Sequence, residues 1–256
     1  MILDWISLYQ QGFIPGPHEE AASFYQRVLV AQDPITQELP SLGGKAEEIL
    51  LPLYGFIPKN IEVRFSSKEL SIWEAGCAYP LECGRWVIQL KKKPSIVPQE
   101  ELLAHELVHI ARAHFEEPRF EEILAYQTSS HKWRRSLGAL FRYRWESSGL
   151  MLLTALDLIT LLIFDVYPFT TLTAFMALFF RLQWTLRQFK NCIQNLSDPH
   201  LIVALTDKEI AAIAKGSRLE DLDDGSIRFA MIKALKTHHS TKLHRQNDER
   251  KCHDTQ

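Results

Sequence analysis

Residues 102–126 read LLAHELVHIARAHFEEPRFEEILAY, and the fold turns on whether this stretch is one helix or two helices folded together. His105-Glu106-Leu107-Val108-His109 is an HExxH pattern. On a helix four residues advance about 400°, so side chains at that spacing lie only about 40° apart on one face. Two imidazoles then converge on one point, as two corners of a zinc tetrahedron require. Glu106, offset by one position, reaches a water there without ligating the metal. With 10 His and 20 Glu in 256 residues, random order gives roughly 0.03 such patterns per chain, so the pattern carries information. Leu102, Leu103, Leu107 and Ile110 add an apolar face on which the helix packs.

The third ligand is the harder question. His114 lies about 140° further round the helix than His109 and cannot join the same metal unless the helix breaks. The pattern HExxHxxGxxH fails as well, because Arg112 stands in place of its glycine and Phe115 in place of its last histidine. Glu116-Glu117-Pro118 reads as a turn, and Pro118 suits the first position of a second helix. That helix folds back and brings Glu121 or Glu122 towards the metal; the residues alone leave both open.

Glu122-Ile123-Leu124-Ala125 resembles the ExxA element of gluzincin metallopeptidases, in which a glutamate on a later helix is the third ligand. It is distantly similar to the ExxAD motif of the membrane HtpX-like and CAAX-prenyl peptidases. The resemblance covers residues 60–126 and implies Zn2+ held by His105, His109 and Glu122, with Glu106 as general base. The implied activity is hydrolysis of a peptide bond in a protein or peptide substrate by zinc-activated water. Tyr126, His114 and Arg119 are then candidate transition-state stabilisers, and Glu121 the alternative third ligand. The chain departs from the membrane peptidases in three ways. Tyr126 replaces their aspartate, only twelve residues separate His109 from Glu122, and the apolar tract follows both motifs.

Outward from the motif, residues 60–93 change period. IEVRFSS, ELSIWEAG and RWVIQLKKK are short, rich in β-formers and bounded by turn residues, and predict a three-stranded antiparallel meander before the helix. The strand at 85–91 could pair an extended substrate along its edge. Pro98 suits the first helical position, with Glu100 and Glu101 in the first turn. Residues 1–31 predict two amphipathic helices parted at Gly12–Pro17, 33–44 a loop, and 45–54 a short helix. The N-terminus has neither basic nor long apolar character, so no cleavable signal peptide is expected. The four cysteines suit reduced thiols better than a disulfide scaffold. A net charge of −2 excludes a globally basic nucleic-acid binder.

Residues 149–180 contain no Lys or Arg and only two acids, Asp157 and Asp165. Runs 149–164 and 166–180 predict a transmembrane helical hairpin turning at Asp165-Val166-Tyr167-Pro168, with Asp165 capping the second helix and Trp145 and Trp184 at the interfaces. Lys and Arg flank the tract on both sides and are absent from the turn, so both ends belong in the cytoplasm. Asp157 is the objection, since a carboxylate within a span costs on the order of 3 kcal/mol unless it faces a partner. Two buried helices of a soluble bundle are the competing reading. Beyond, Thr206-Asp207-Lys208-Glu209 is a capping box, Gly216 a stop, and 227–237 a further helix.

Together these readings predict an α+β chain. A zinc metallopeptidase-like domain occupies 1–130, a basic interfacial segment 131–148, the membrane hairpin 149–181, a helical cytoplasmic region 182–238, and a disordered tail 239–256. The expected site is the inner membrane, multi-pass, with the catalytic domain and both termini cytoplasmic. Protein or peptide substrate and the lipid bilayer are the expected partners, with no nucleic acid. The reading from another class is a membrane-anchored interaction protein whose metal site is structural or absent.

Overall fold

The computed structural model of the chain describes residues 4–32, 42–68, 70, 75–81, 85–92 and 97–253. Asp4 caps α1 (Trp5–Gln10) by accepting the Ser7 N–H at 3.1 Å. Gly12, at φ +80, then brings the backbone so close to Pro58 that a Cβ would meet the proline Cγ at 2.7 Å. The chain continues into α2 (Ala21–Gln32), so the break at Gly12–Pro17 parts two helices as its residues predict. Most of the loop read at 33–44 lies outside the described residues, and α3 (Leu42–Tyr54) starts within its last three.

β1 (Glu62–Phe65), β2 (Gly76–Pro80) and β3 (Trp86–Leu90) form a mixed sheet in the order β1-β3-β2. β2 runs antiparallel to β3, with Gly76 opposite Leu90. β1 runs parallel to β3, with Glu62 opposite Val87. The antiparallel meander is therefore corrected. The strand read over 69–76 lies mostly outside the described residues, and its last residue, Gly76, opens β2 instead. β3 sits in the centre, so its edges are occupied by neighbouring strands and unavailable to a substrate. A central strand is enclosed on both faces, and Val87, Ile88, Gln89 and Leu90 are all buried. Gln89 tolerates this because its amide donates to the carbonyls of Ser66, at 3.3 Å, and Lys68.

α4 (Gln99–Arg112) carries HExxH and runs through the middle of the molecule; Pro98 stands at its N-cap, one position earlier than read. Leu103, Ala104, Leu107, Val108 and Ala111 are buried, in one core with Leu50 and Tyr54 of α3 and Ile88 and Leu90 of β3. After a turn with Glu116 at φ 52, α5 (Pro118–Tyr126) folds back beside α4. The α5 N-terminus is capped from far away in sequence. Asp207 accepts the N–H groups of Arg119 at 2.9 Å and Phe120 at 3.2 Å, while Glu117 accepts the Asp207 N–H at 2.6 Å. Asp207 opens α9 (Asp207–Ile213), whose Thr206–Glu209 capping box is formed as the sequence predicts.

Residues beyond 182 belong to this same core. Leu182, Leu186 and Phe189 of α8 (Thr170–Asn195) join it, as do Val203, Leu205, Ile210 and Ile232. Arg112, fully buried, donates to the carbonyls of Val203 at 2.6 Å and Leu205 at 2.9 Å and lies over the Phe115 ring. α10 (Ile227–His253) continues through the polar stretch read as a disordered tail, where no Gly or Pro interrupts it; residues 254–256 lie outside the described residues.

The segment at 131–148 also departs from a purely interfacial helix. α6 (Lys132–Leu137) packs on α5, and Arg134 is buried, paired with Glu101 at 3.3 Å. Trp133, Leu137 and Tyr143 remain exposed. α7 (Arg144–Phe164) then leaves the body with α8 alongside. Within α7, Trp145–Phe164 is the one stretch among the described residues long and apolar enough to cross a membrane: 20 residues, mean hydropathy 2.0, with only Glu146 at its base buried. The body of this chain does not cover the apolar face of α7: Leu162 is 83 % and Phe164 68 % exposed. α8 does not match it. Its apolar stretch, Thr170–Phe180, rises only about 16 Å before Arg181. Asp165 does not cap α8 either; at φ 52 it ends α7. Asp157 caps α8 instead, accepting the Thr171 N–H at 2.9 Å and the Thr170 hydroxyl, so the acid is satisfied inside the hairpin. At the base, Glu146 of α7 receives Arg181 of α8 at 2.5 and 2.8 Å, and Arg181 also donates to the Leu140 carbonyl.

Candidate metal centre

The pairing of α4 with α5 brings His105, His109 and Glu122 together. Their Nε2 atoms approach to 3.2 Å, with the rings edge-to-face. The Glu122 carboxylate closes the triangle, Oε1 lying 3.6 Å from His109 Nε2 and Oε2 3.7 Å from His105 Nε2. Donors about 2.0–2.2 Å from a tetrahedral zinc are separated by roughly 3.3–3.6 Å along the tetrahedron's edges. The Nε2–Nε2 separation is close to such an edge, and the carboxylate presents one oxygen to each imidazole, so a cation fits once the Glu122 carboxylate turns to offer it a single oxygen. The side chains are 12–30 % exposed, so solvent reaches the cluster in part.

Glu121 takes another role. Its Oε1 lies 2.8 Å from His109 Nδ1, on the ring edge away from the cluster. A carboxylate in that position holds the ring's tautomer and aim, presenting Nε2 as the ligand atom. His105 is held differently. Its buried Nδ1 lacks a well-formed hydrogen bond but faces the Ala125 carbonyl. The Tyr126 ring stands edge-on to it at 4.7 Å. A Cβ at Gly138 would lie 2.4–2.6 Å from that tyrosine ring, so only a glycine there lets Tyr126 sit against the histidine. Arg134 flanks the ring from the other side, 5.5 Å from its centroid, fixed by Glu101, whose carboxylate also accepts the Ser129 hydroxyl at 2.9 Å.

Of the three candidate stabilisers, only Tyr126 is at the cluster. His114 packs against Gly16 and interacts with Arg27 and Glu19. Arg119 binds Gln188 of α8 and lies over Phe120. Glu106 is buried next to the sheet. A Cβ on Gly76 would come 3.4 Å from its Oε1, so the bare glycine backbone of β2 leaves space beside this carboxylate. Arg134, Glu101, Gly138 and Gly76 carried no motif that could have singled them out.

The electrostatics divide the two histidines. Burial and the neighbouring charges of His109 and Arg134 hold His105 well below its ordinary value, neutral and ready to donate a lone pair. For His109 burial acts in the same direction, but the Glu121 hydrogen bond and the charges of Glu122 and Glu106 outweigh it and raise the group to about 9. Burial pushes the Glu122 carboxyl up, against the opposing pull of His109. In the metal-free chain His109 therefore keeps a proton below about pH 9, and a cation must displace it. Zinc affinity is expected to rise about tenfold per pH unit from about 6.5 to about 8.5. Competition against a chelator of known affinity measures this slope, and a flat profile would contradict the assignment of His109 as a ligand.

Family models, curated proteins and solved structures were each compared with the chain, and none matches.

Proposed function

We propose that this chain is a zinc-dependent metallopeptidase anchored in the inner membrane by the α7–α8 hairpin. The observation that carries the reading is the convergence of His105 Nε2, His109 Nε2 and the Glu122 carboxylate, whose one oxygen lies 3.6 Å from His109 and the other 3.7 Å from His105. Two imidazoles and one carboxylate suit zinc. Three protein donors among the described residues fit a catalytic site; a structural site would be closed by a fourth.

When bound there, zinc supplies Lewis acidity that lowers the pKa of a coordinated water and polarises a peptide carbonyl. The chain supplies the rest. Glu106 accepts a proton as the water oxygen bonds to the carbonyl carbon, then returns it to the amide nitrogen as the C–N bond breaks. Glu121 and Tyr126 keep the two imidazoles aimed. β2, an edge strand among the described residues, offers its backbone to an extended peptide next to Glu106. The substrate is a protein or peptide, and no nucleic acid is involved.

The hairpin supports the membrane part of the proposal. Beyond the buried Glu146, α7 presents about 27 Å of exposed, largely apolar helix, close to the thickness of a hydrocarbon core. Trp145 and Trp184 are exposed near its base, where interfacial aromatics belong. Both ends of the hairpin stay on the cytoplasmic side, with the metal centre. One preparation tests both parts. The purified chain should float with vesicles containing anionic lipid, and should cleave an unfolded protein substrate there. A chelator should abolish cleavage and added zinc restore it. Flotation by a zinc-loaded chain that cleaves nothing in a broad peptide library would support the interaction-protein reading instead.

A further inference from the structure

Away from the HExxH cluster, Asp198, His200 and His239 each bring a ligand atom within 4.8 Å of the others. They lie where the short turn Pro199–Ala204 meets α10. We propose that these three residues form a second divalent-cation site, of zinc-type chemistry, that clips α10 to the body of the molecule.

Asp198 is 7 % exposed, and its two oxygens have separate tasks. Oδ1 accepts the His200 N–H at 3.0 Å and so caps the turn. Oδ2 faces His239 Nδ1 at 3.1 Å, across from α10. His239 is the only ion-pair partner of this carboxylate among the described residues, and its side chain is 43 % exposed. Among the described residues Oδ2 thus meets one polar partner, an imidazole on its solvent side, and a divalent ion placed between the two groups bonds to both in place of that contact. The 3.1 Å separation is close to the edge of a zinc tetrahedron, roughly 3.3 Å.

His200 is built into position as the third donor. Its carbonyl oxygen lies 2.8 Å from the buried Tyr9 hydroxyl, which also binds the Tyr54 carbonyl at 2.7 Å, so α1, α3 and the turn are joined at this point. Gly55, at φ +71, makes room for the ring, since a Cβ there would come 2.9 Å from His200 Nδ1. The His200 and His239 rings stand 5.5 Å apart at 82°, with Asp198 beside both. Two imidazoles with one carboxylate favour zinc, nickel or copper over magnesium or calcium, which prefer oxygen donors throughout. The consequence is mechanical: beyond His239 the polar part of α10 continues to His253, and the ion fastens the helix where that part begins.

Equilibrium dialysis of the full chain with zinc tests this. Two ions per chain are expected in wild type, one in His109→Ala, one in His239→Ala and none in the double variant. The result that overturns the proposal is an equal count in wild type and His239→Ala. Loss of one ion in His239→Ala with no change in His109→Ala would support this site while removing the HExxH centre, so the two readings fail separately. Asp198→Asn is the second variant; it keeps the cap on His200 and should also lose one ion. At free zinc about ten times the dissociation constant, proteolysis beyond residue 239 should slow roughly tenfold in wild type only. Equal slowing in His239→Ala would also count against the site.

Discussion

Glu122→Ala is expected to strip zinc from the HExxH centre, whereas Glu121→Ala only loosens it. Four-ligand structural zinc sites reach apparent free energies of about 10–16 kcal/mol, or about 2.5–4 kcal/mol per ligand. Removing Glu122, whose oxygens face both Nε2 atoms, should therefore weaken binding by about 10²–10³-fold. Glu121 instead holds His109 through Nδ1 at 2.8 Å. Loss of such an orienting partner typically weakens metal binding 10–100-fold. Both glutamates are partly exposed on α5, so neither truncation opens a cavity in the core. Chelator competition on the two variants, with unchanged circular dichroism as the fold control, gives the ranking. The reverse order would make Glu121 the ligand and Glu122 its support.

Why the sequence left these two glutamates unresolved is itself physical. Adjacent residues on a helix point about 100° apart. Which one faces the histidines depends on how α5 is rolled against α4. That roll is set by distant groups: the Tyr54 hydroxyl donating to the Leu124 carbonyl at 2.7 Å, and Asp207 capping the first turn of α5. HExxH, by contrast, needs only the local 3.6-residue period, and the turn before Pro118 only local backbone chemistry. Those features were legible. The capping box at Thr206 was legible for the same reason.

The sheet shows the same limit. Alternation identifies short strands, but strand order depends on a crossover that no local pattern encodes, and β1 reaches β3 in parallel past the β2–β3 pair. The apolar runs predict two helices joined at 165–168, and two helices form there, but the reading placed the wrong aspartate at the cap of α8. Asp165 is nearer in sequence, but α7 runs on beyond Asp157, and the returning chain brings Thr170 and Thr171 back beside that earlier residue. Gly138 was the least legible. Its importance lies in the ring it leaves room for, and Tyr126 in turn matters because it backs His105.

Glu106→Gln should then separate metal binding from chemistry. Gln is nearly isosteric, so packing beside Gly76 and the sheet is retained, and Glu106 is not among the three converging donors. Zinc content should match wild type. What Gln loses is proton affinity: an amide neither accepts the proton released by the attacking water nor returns it to the departing nitrogen. General-base transfer of this kind contributes about 10²–10⁴-fold, and cleavage of a peptide substrate should fall by that amount at saturating zinc. The burial of Glu106 sharpens the expectation, because a shielded carboxylate has few solvent routes that could substitute for it. A variant that loses zinc as well would make Glu106 part of the metal shell. A variant that keeps both zinc and full activity would place the base on another residue. Retained zinc with activity reduced at least a hundredfold is the pairing that a site with only a structural ion cannot produce.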